Sequence, residues 1–159
     1  MLSRFAACLC ACLCLSPFLA PAHLSHAAAQ TAVAPTPAGR WRTIDDKSGK
    51  PKSVLFLWIK DGKLYGRIDT ILNPDPDNPN HKCIHCSGDM KDKELLGMQI
   101  LWDMKPTGDT WSGGYIFDPD NGSTYRCVME LQDGGKKLKV RGFIGVSLFG
   151  RTQYWYREE

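Results

Sequence analysis

The chain has 159 residues, with 20 Lys and Arg against 17 Asp and Glu, and this length leaves room for one domain or two very small ones. Hydrophobic residues make up 43% and charged residues 23%, which excludes a chain that is disordered throughout. The formal net charge of +3 is too close to balance to predict a nucleic-acid partner.

The first 29 residues have the composition of a secretory signal peptide. Arg4 is their only charged side chain, an apolar run extends from Phe5 to Leu15, and residues 27–29 supply an Ala-x-Ala cleavage site. A membrane anchor needs roughly 20 apolar residues, and proline, serine and histidine interrupt this run too early. We therefore predict cleavage before Gln30, a periplasmic or secreted location, and a mature chain without a membrane span.

The remaining chain is divided into short runs by turn residues. Residues 30–38 are mostly Ala, Thr, Pro and Val without a polar–apolar period, which predicts a flexible tether. After Gly39 the runs alternate as in antiparallel hairpins, and Asp61-Gly62 is the strongest hairpin signal among them. The predicted strands are Trp41–Ile44, Ser53–Lys60, Lys63–Leu72, Met98–Met104, Trp111–Phe117, Thr124–Leu131, Leu138–Ile144 and Thr152–Arg157.

These runs predict an all-β domain over residues 39–157, in which about eight strands form an antiparallel up-and-down meander. Such a meander either forms a sandwich or closes into a barrel. Closure removes the exposed sheet edges, and about eight strands suffice for a small barrel. We therefore predict the barrel.

The two ends of the predicted domain resemble the lipocalin and calycin arrangement. Gly39-Arg40-Trp41 opens the first strand and Arg157 closes the last. In that arrangement the tryptophan plugs the closed barrel end and a late arginine packs over it. The resemblance therefore implies that Trp41 and Arg157 meet at the barrel closure, with the guanidinium over the indole.

A closer resemblance covers nearly all of residues 39–157. The chain is similar there to the exported bacterial family catalogued as domain of unknown function 2147, because several of its motifs occur in the right order. These motifs are Asp61–Ile68, Trp111–Gly114, Asp118–Tyr125, Leu138–Gly142 and Gly150–Gln153. The resemblance implies a lipocalin-like barrel in an exported protein, and it supplies no catalytic residues.

The long polar segment from Asn73 to Glu94 carries the clearest chemistry. It is rich in turn residues, which predicts a lid rather than a calcium site. In an oxidising compartment, the first interpretation of the Cys-x-x-Cys pair Cys83 and Cys86 is a disulfide. A metal site is the first alternative, since thiols and imidazoles suit zinc or copper(I), and a redox site is the second. The metal ligands would be His81, Cys83, His85 and Cys86.

Cys127 is the odd thiol of the predicted mature chain. Tyr125, Met129 and Leu131 share its face of the predicted strand. A buried free cysteine is therefore expected. A bridge from Cys127 to the long loop is the alternative, and it would leave one loop cysteine unpaired.

Several aromatic residues alternate onto the predicted inner faces of the strands. Two interpretations remain open for them. They fill the interior as a packed core, or they line a pocket for one small apolar ligand. The predicted lining residues are Trp102, Trp111, Tyr115 and Tyr125, and the loop from Asn73 to Glu94 would cover the mouth of the pocket.

The residue types favour a binding protein over an enzyme. The predicted mature chain has only His81 and His85 as histidines, its few serines lie in turns, and no Gly-x-x-x-x-Gly-Lys phosphate loop occurs. We predict no cofactor. The leading hypothesis is an exported non-catalytic barrel that binds a small apolar or amphipathic ligand. The alternatives are an envelope structural or interaction protein with a solid barrel, and a metal or redox site on the loop.

Overall fold

The computed structural model describes residues 35–146 and 148–158. The predicted signal peptide, residues 1–29, and the first part of the predicted tether, residues 30–34, lie outside the described residues. Within the described part of the chain, no helix is long and apolar enough to cross a membrane.

Eight antiparallel strands form a closed barrel in the described residues. Each strand pairs with its neighbour in sequence, and the first pairs with the last, so the predicted all-β meander and its closure are confirmed. Single 3₁₀ turns lie at Gly88–Met90 and Asp133–Gly135. The strands are β1 (Gly39–Ile44), β2 (Pro51–Lys60), β3 (Lys63–Ile71), β4 (Gln99–Thr107), β5 (Thr110–Asp118), β6 (Ser123–Gln132), β7 (Lys137–Phe143) and β8 (Gly150–Glu158).

The β2–β3 hairpin shows how local sequence sets the register. Asp61 and Gly62 have φ angles of 51° and 72°, the left-handed values that a tight two-residue turn requires at both central positions. The turn places Leu57 opposite Gly66. A Cβ on Gly66 would lie 2.3 Å from Leu57 Cδ2 and 3.2 Å from Leu101 Cβ. Glycine at this position therefore lets two large side chains meet inside the barrel.

The apolar core fills one half of the barrel. The turns after β2, β4 and β6 lie at this end, together with the beginning of β1 and the end of β8. Side chains from five strands pack there without exposure to solvent. They are Leu57, Leu64, Leu101, Met104, Met129 and Leu138.

Trp41 and Arg157 close this end of the barrel. They are direct partners in the β1–β8 pairing, and the guanidinium carbon of Arg157 lies 4.3 Å from the centroid of the fully buried indole. Arg157 also donates hydrogen bonds to the carbonyls of Thr36, Ala38 and Gly135 at 2.7, 2.9 and 2.6 Å. Burial lowers the pKa of the guanidinium, but arginine remains charged in proteins. One cation thus joins both chain termini of the barrel to the β6–β7 turn.

The last residues of the predicted tether belong to this closure. Pro37 is fully buried, and its carbonyl accepts a hydrogen bond of 2.8 Å from Trp41 Nε1. Residues 35–38 are thus held to the barrel rather than forming a free tether. The physical reason is that a buried indole and a half-buried guanidinium need acceptors. The backbone carbonyls of this segment supply them, a role that side-chain periodicity does not reveal.

We expect Arg157→Ala to lower the free energy of unfolding by about 2–4 kcal/mol, because it removes the contact with Trp41 and leaves three carbonyls without their donor. Urea unfolding measures this loss. Arg42→Ala is the matched control, since Arg42 joins the same two strands through an exposed ion pair of 3.1 Å with Glu158 and should cost less than about 1 kcal/mol. Equal losses for the two variants would contradict the closing role of Arg157.

Cys127 is free and buried, as the sequence predicts, and burial raises the pKa of its thiol from 9.0 to about 12. Above pH 9.0 the thiol ionises in the unfolded chain, while in the folded chain it stays protonated. The contribution of Cys127 to stability is therefore complete below pH 9.0 and is lost as the pH rises toward 12. Relative to Cys127→Ala, the wild type should lose about 1.4 kcal/mol between about pH 8 and about pH 10. Urea unfolding at both pH values tests this, and a constant difference between the two proteins would contradict it.

Candidate functional site

A cavity of about 830 Å³ opens at the end of the barrel opposite Trp41 and Arg157. The β1–β2, β3–β4, β5–β6 and β7–β8 connections surround its mouth. Sites for small molecules have volumes of about 300–1,000 Å³. The barrel is therefore solid at one end and hollow at the other, so its interior is not packed throughout.

The floor and wall of the cavity are mainly apolar. Six side chains from six different strands form them, and five of the six are branched aliphatic residues of moderate size. Thr43 of β1 and Tyr125 of β6 complete the wall, so every strand contributes at least one lining residue. The six apolar side chains are Leu55, Ile68, Ile100, Ile116, Val140 and Trp155.

Trp102 and Tyr115 lie on the outside of the barrel and do not line the cavity, contrary to the prediction. They face each other across β4 and β5 and stack with ring centroids 6.1 Å apart. The prediction assumed unbroken alternation along β4. A register shift between Gln99 and Leu101 instead places Ile100 and Leu101 both on the inner face and so turns Trp102 outward. A β-bulge at Asp103, where φ is 59°, then returns Met104 to the interior.

Trp111 faces the interior but lies far from the cavity. It pairs with Met129 and packs against the core beside the β4–β5 turn, at the closed end. A second bulge, where Gly113 has φ 77°, shifts the register before Gly114 and brings Ile116 to the inner face. Of the four predicted aromatic residues, Tyr125 is the one that lines the cavity.

Trp155 is one of the aromatic residues of the cavity that the sequence analysis missed. It is flanked by Tyr154 and Tyr156, so the run offers no contrast in polarity from which to choose the inner face. The structure exposes the two tyrosines and buries Trp155 almost completely. Trp155 Nε1 is buried and has no hydrogen-bond partner among the described residues, which is uncommon for an indole N–H.

The rim of the cavity carries charged side chains that are paired with each other. Lys52 forms an ion pair with Asp120, and Arg151 forms ion pairs with Asp46 and Asp118. These charges surround the mouth, while the floor carries none. The rim therefore presents a polar belt of both signs rather than a block of one charge.

The β3–β4 loop, residues 72–98, lies over one side of the mouth. Residues from its first half line the cavity, among them Pro74, Ile84 and His85. The loop is held together by its own hydrogen bonds: Asn78 exchanges two with the backbone of Lys82 at 2.6 and 3.1 Å. This network makes the predicted lid a structured element of the site.

The predicted disulfide between Cys83 and Cys86 is present in this loop. Both cysteines are buried and belong to the hydrophobic core. The loop is seated on the β5–β6 turn, because a Cβ on Gly122 would lie 2.4 Å from the carbonyl oxygen of His85. The bridge thus sits at the point where the lid contacts the barrel.

The metal alternative is not formed in this structure. Its two thiols are joined in the disulfide, so His81 and His85 lack the sulfur ligands that the alternative requires. No group of three or more His, Cys, Asp or Glu is placed to hold a metal ion in residues 35–146 and 148–158. The alternative bridge to Cys127 is not formed either.

Replacing the bridge with Cys83→Ser/Cys86→Ser should lower the free energy of unfolding by about 2 kcal/mol, the value for closing such a short ring. Hydrogen exchange should accelerate in residues 78–95, since the lid loses its anchor, while the strands stay protected. His85→Ala, an exposed change in the same loop, is the control and should leave exchange unaltered. Unchanged exchange in the double variant would show that the bridge does not hold the lid.

The fold is shared with a solved structure of protein HP1028 from the human pathogen Helicobacter pylori, which is described as belonging to the lipocalin family. The two chains are 17% identical, the match covers 79% of this chain and 84% of the other, and the TM-score is 0.68. At this identity the likeness concerns the fold alone. None of the curated proteins matches the sequence.

The sequence itself matches a family over most of its length. Residues 39–157, from the beginning of β1 to the arginine of the closure, match the family described as an uncharacterized protein conserved in bacteria. This range contains the complete cavity wall and the lid. The resemblance noted in the sequence is thereby confirmed, and the chain belongs to the bacterial family DUF2147.

Proposed function

We propose that this protein is an exported, non-catalytic barrel that binds one small apolar or amphipathic molecule in the cavity at its open end. The observation that carries the proposal is the hollow half of the barrel, about 830 Å³ in volume, with an apolar floor. Burial of apolar ligand surface against such a floor supplies about 25 cal/mol per Å² before the costs of association are subtracted.

The arrangement of polar groups supports an elongated ligand with an apolar body and a polar end. The floor is apolar, whereas the charged pairs Lys52–Asp120 and Arg151–Asp118 stand at the rim. A polar end group at the mouth would keep its contacts with water and with this belt. A hydrogen-bond acceptor on the buried part would suit Trp155, whose indole N–H lacks a partner among the described residues.

Export is the part of the proposal that the sequence supports. The first 29 residues have the composition of a signal peptide. The disulfide of Cys83 with Cys86 suits the oxidising environment outside the cytoplasm. Both observations support the proposal that the protein acts in the periplasm or outside the cell.

The proposal favours a binding protein over the structural alternative. An envelope protein that acts only through its surface has no need of a hollow interior, whereas the residues that would fill this half of the barrel are directed elsewhere. Trp102 points outward and Trp111 packs at the closed end. Smaller aliphatic residues, such as Ile116 and Val140, face this half of the barrel and leave the space open.

The neutral apolar fluorophore N-phenyl-1-naphthylamine should bind with about micromolar affinity, or roughly −8 kcal/mol. Ile116→Trp should weaken this binding at least about tenfold, because the larger side chain occupies the cavity. Trp102→Ala is the control and should bind normally, since Trp102 stacks on the outside. A fluorescence titration gives both affinities, and circular dichroism verifies folding.

Val140→Phe provides a second narrowing substitution in case Ile116→Trp does not fold. Trp155 borders the cavity, so bound fluorophore should also quench tryptophan emission. A folded wild-type protein that does not bind the probe would contradict the proposal, and so would unchanged affinity in folded variants with a narrowed cavity.

A further inference from the structure

The β7–β8 loop exposes an unusual amount of apolar surface. Ile144, Val146, Leu148 and Phe149, which we call the apolar tip, have exposed fractions of 67%, 62%, 79% and 73%. The nine residues from 142 to 150 contain no charged side chain. Isolated exposed apolar residues are normal, but a contiguous group marks an interaction site.

The apolar tip has a defined attachment to the barrel. Its own backbone turns back through a hydrogen bond of 3.2 Å from Phe149 N to Val146 O. Arg141 Nη2 donates a bond of 3.1 Å to Leu148 O. At the base of the loop, β7 and β8 approach so closely that a Cβ on Gly150 would lie 2.5 Å from the carbonyl oxygen of Gly142. The apolar side chains are therefore carried on a projection fixed at its base.

The apolar tip is continuous with the cavity. Ile144 and Phe149 belong to the tip and also line the cavity, together with the neighbouring Phe143. Val146 and Leu148 project away and do not line it. The exposed apolar surface thus begins where the proposed ligand site opens.

The size and charge of the tip indicate what covers it. A stable protein interface buries about 800 Å² on each partner and involves about 20–30 residues a side, which four side chains on one loop do not supply. The charge of Arg151, next to the tip, is neutralised by ion pairs with Asp46 and Asp118. The surface beside the tip therefore does not favour a charged partner. A small uncharged projection of aliphatic and aromatic side chains suits the apolar interior of a lipid layer.

We propose that the apolar tip inserts into the surface of a phospholipid bilayer and sets the mouth of the cavity against it. An amphipathic lipid could then pass between bilayer and cavity without exposing its apolar body to water. The membrane contact stands on the tip alone. The transfer of a lipid rests on the proposed function, and the experiment below separates the two.

The contact is tested with vesicles of phosphatidylcholine, which contain no anionic lipid. The positive net charge of the protein therefore does not draw it to these vesicles. Wild-type protein should float with the vesicles, and Val146→Ser/Leu148→Ser should bind them about tenfold more weakly. Ile59→Ser is the matched control, because Ile59 is 42% exposed but lies at the closed end, beside the β2–β3 turn. It should float like the wild type.

A fluorophore that reports polarity, attached at Leu148→Cys, should shift its emission to the blue on addition of vesicles, whereas the same label at Ile59→Cys should not shift. Cys127 is 1% exposed and should remain unlabelled. Wild-type protein that does not float, equal floating of the double serine variant, or an unshifted label at position 148 would each overturn the proposal. A blue shift that grows with protein concentration without vesicles would also overturn it, since the tip would then contact a second copy of the chain.

The double serine variant also separates this proposal from the function on which lipid transfer rests. Neither Val146 nor Leu148 lines the cavity, so the variant should bind N-phenyl-1-naphthylamine in solution like the wild type. If the wild type floats with vesicles but does not bind the probe, the membrane contact holds and the ligand-binding function fails. If it binds the probe but does not float, the contact fails and the ligand-binding function holds.

Discussion

The contact between Arg157 and Trp41 is the interaction on which the rest of the structure depends. It lies on the β1–β8 pairing, the one pairing between strands at opposite ends of the chain, and such distant pairings pay the largest loop-closure entropy. The guanidinium offsets that cost by bonding to three backbone carbonyls and to the indole face. With one end sealed in this way, the opening of the barrel is confined to the other end.

The division into a solid and a hollow half follows from where the large side chains point. Bulges at Asp103 and Gly113 interrupt the alternation of two adjacent strands. In β4 an earlier register shift, just before Leu101, turns Trp102 outward, and in β5 the bulge at Gly113 leaves Ile116 facing inward. A barrel of eight strands is just wide enough to be filled by its own side chains, so exchanging large aromatic residues for aliphatic ones at one level is sufficient to create a cavity.

Two connections of different character surround the mouth of the cavity. The β3–β4 loop is cross-linked by Cys83 and Cys86 and seated on the β5–β6 turn, which makes it a rigid partial cover. The β7–β8 loop instead presents exposed apolar side chains. A rigid cover on one side and an apolar projection on the other give the opening a direction, and the proposed passage of a lipid between bilayer and cavity rests on that asymmetry.

The sequence by itself determined the strands, their order, the tight turns and the disulfide, because hairpin register and a Cys-x-x-Cys ring depend on residues that are near one another in the chain. It also indicated that Trp41 and Arg157 meet. Only the tertiary structure decided which face of β4, β5 and β8 is inward, since one bulge, such as that at Gly113 with φ 77°, reverses every side chain beyond it. The cavity and its lining by Trp155 arise from that choice, because an interior space is the sum of side chains from all eight strands.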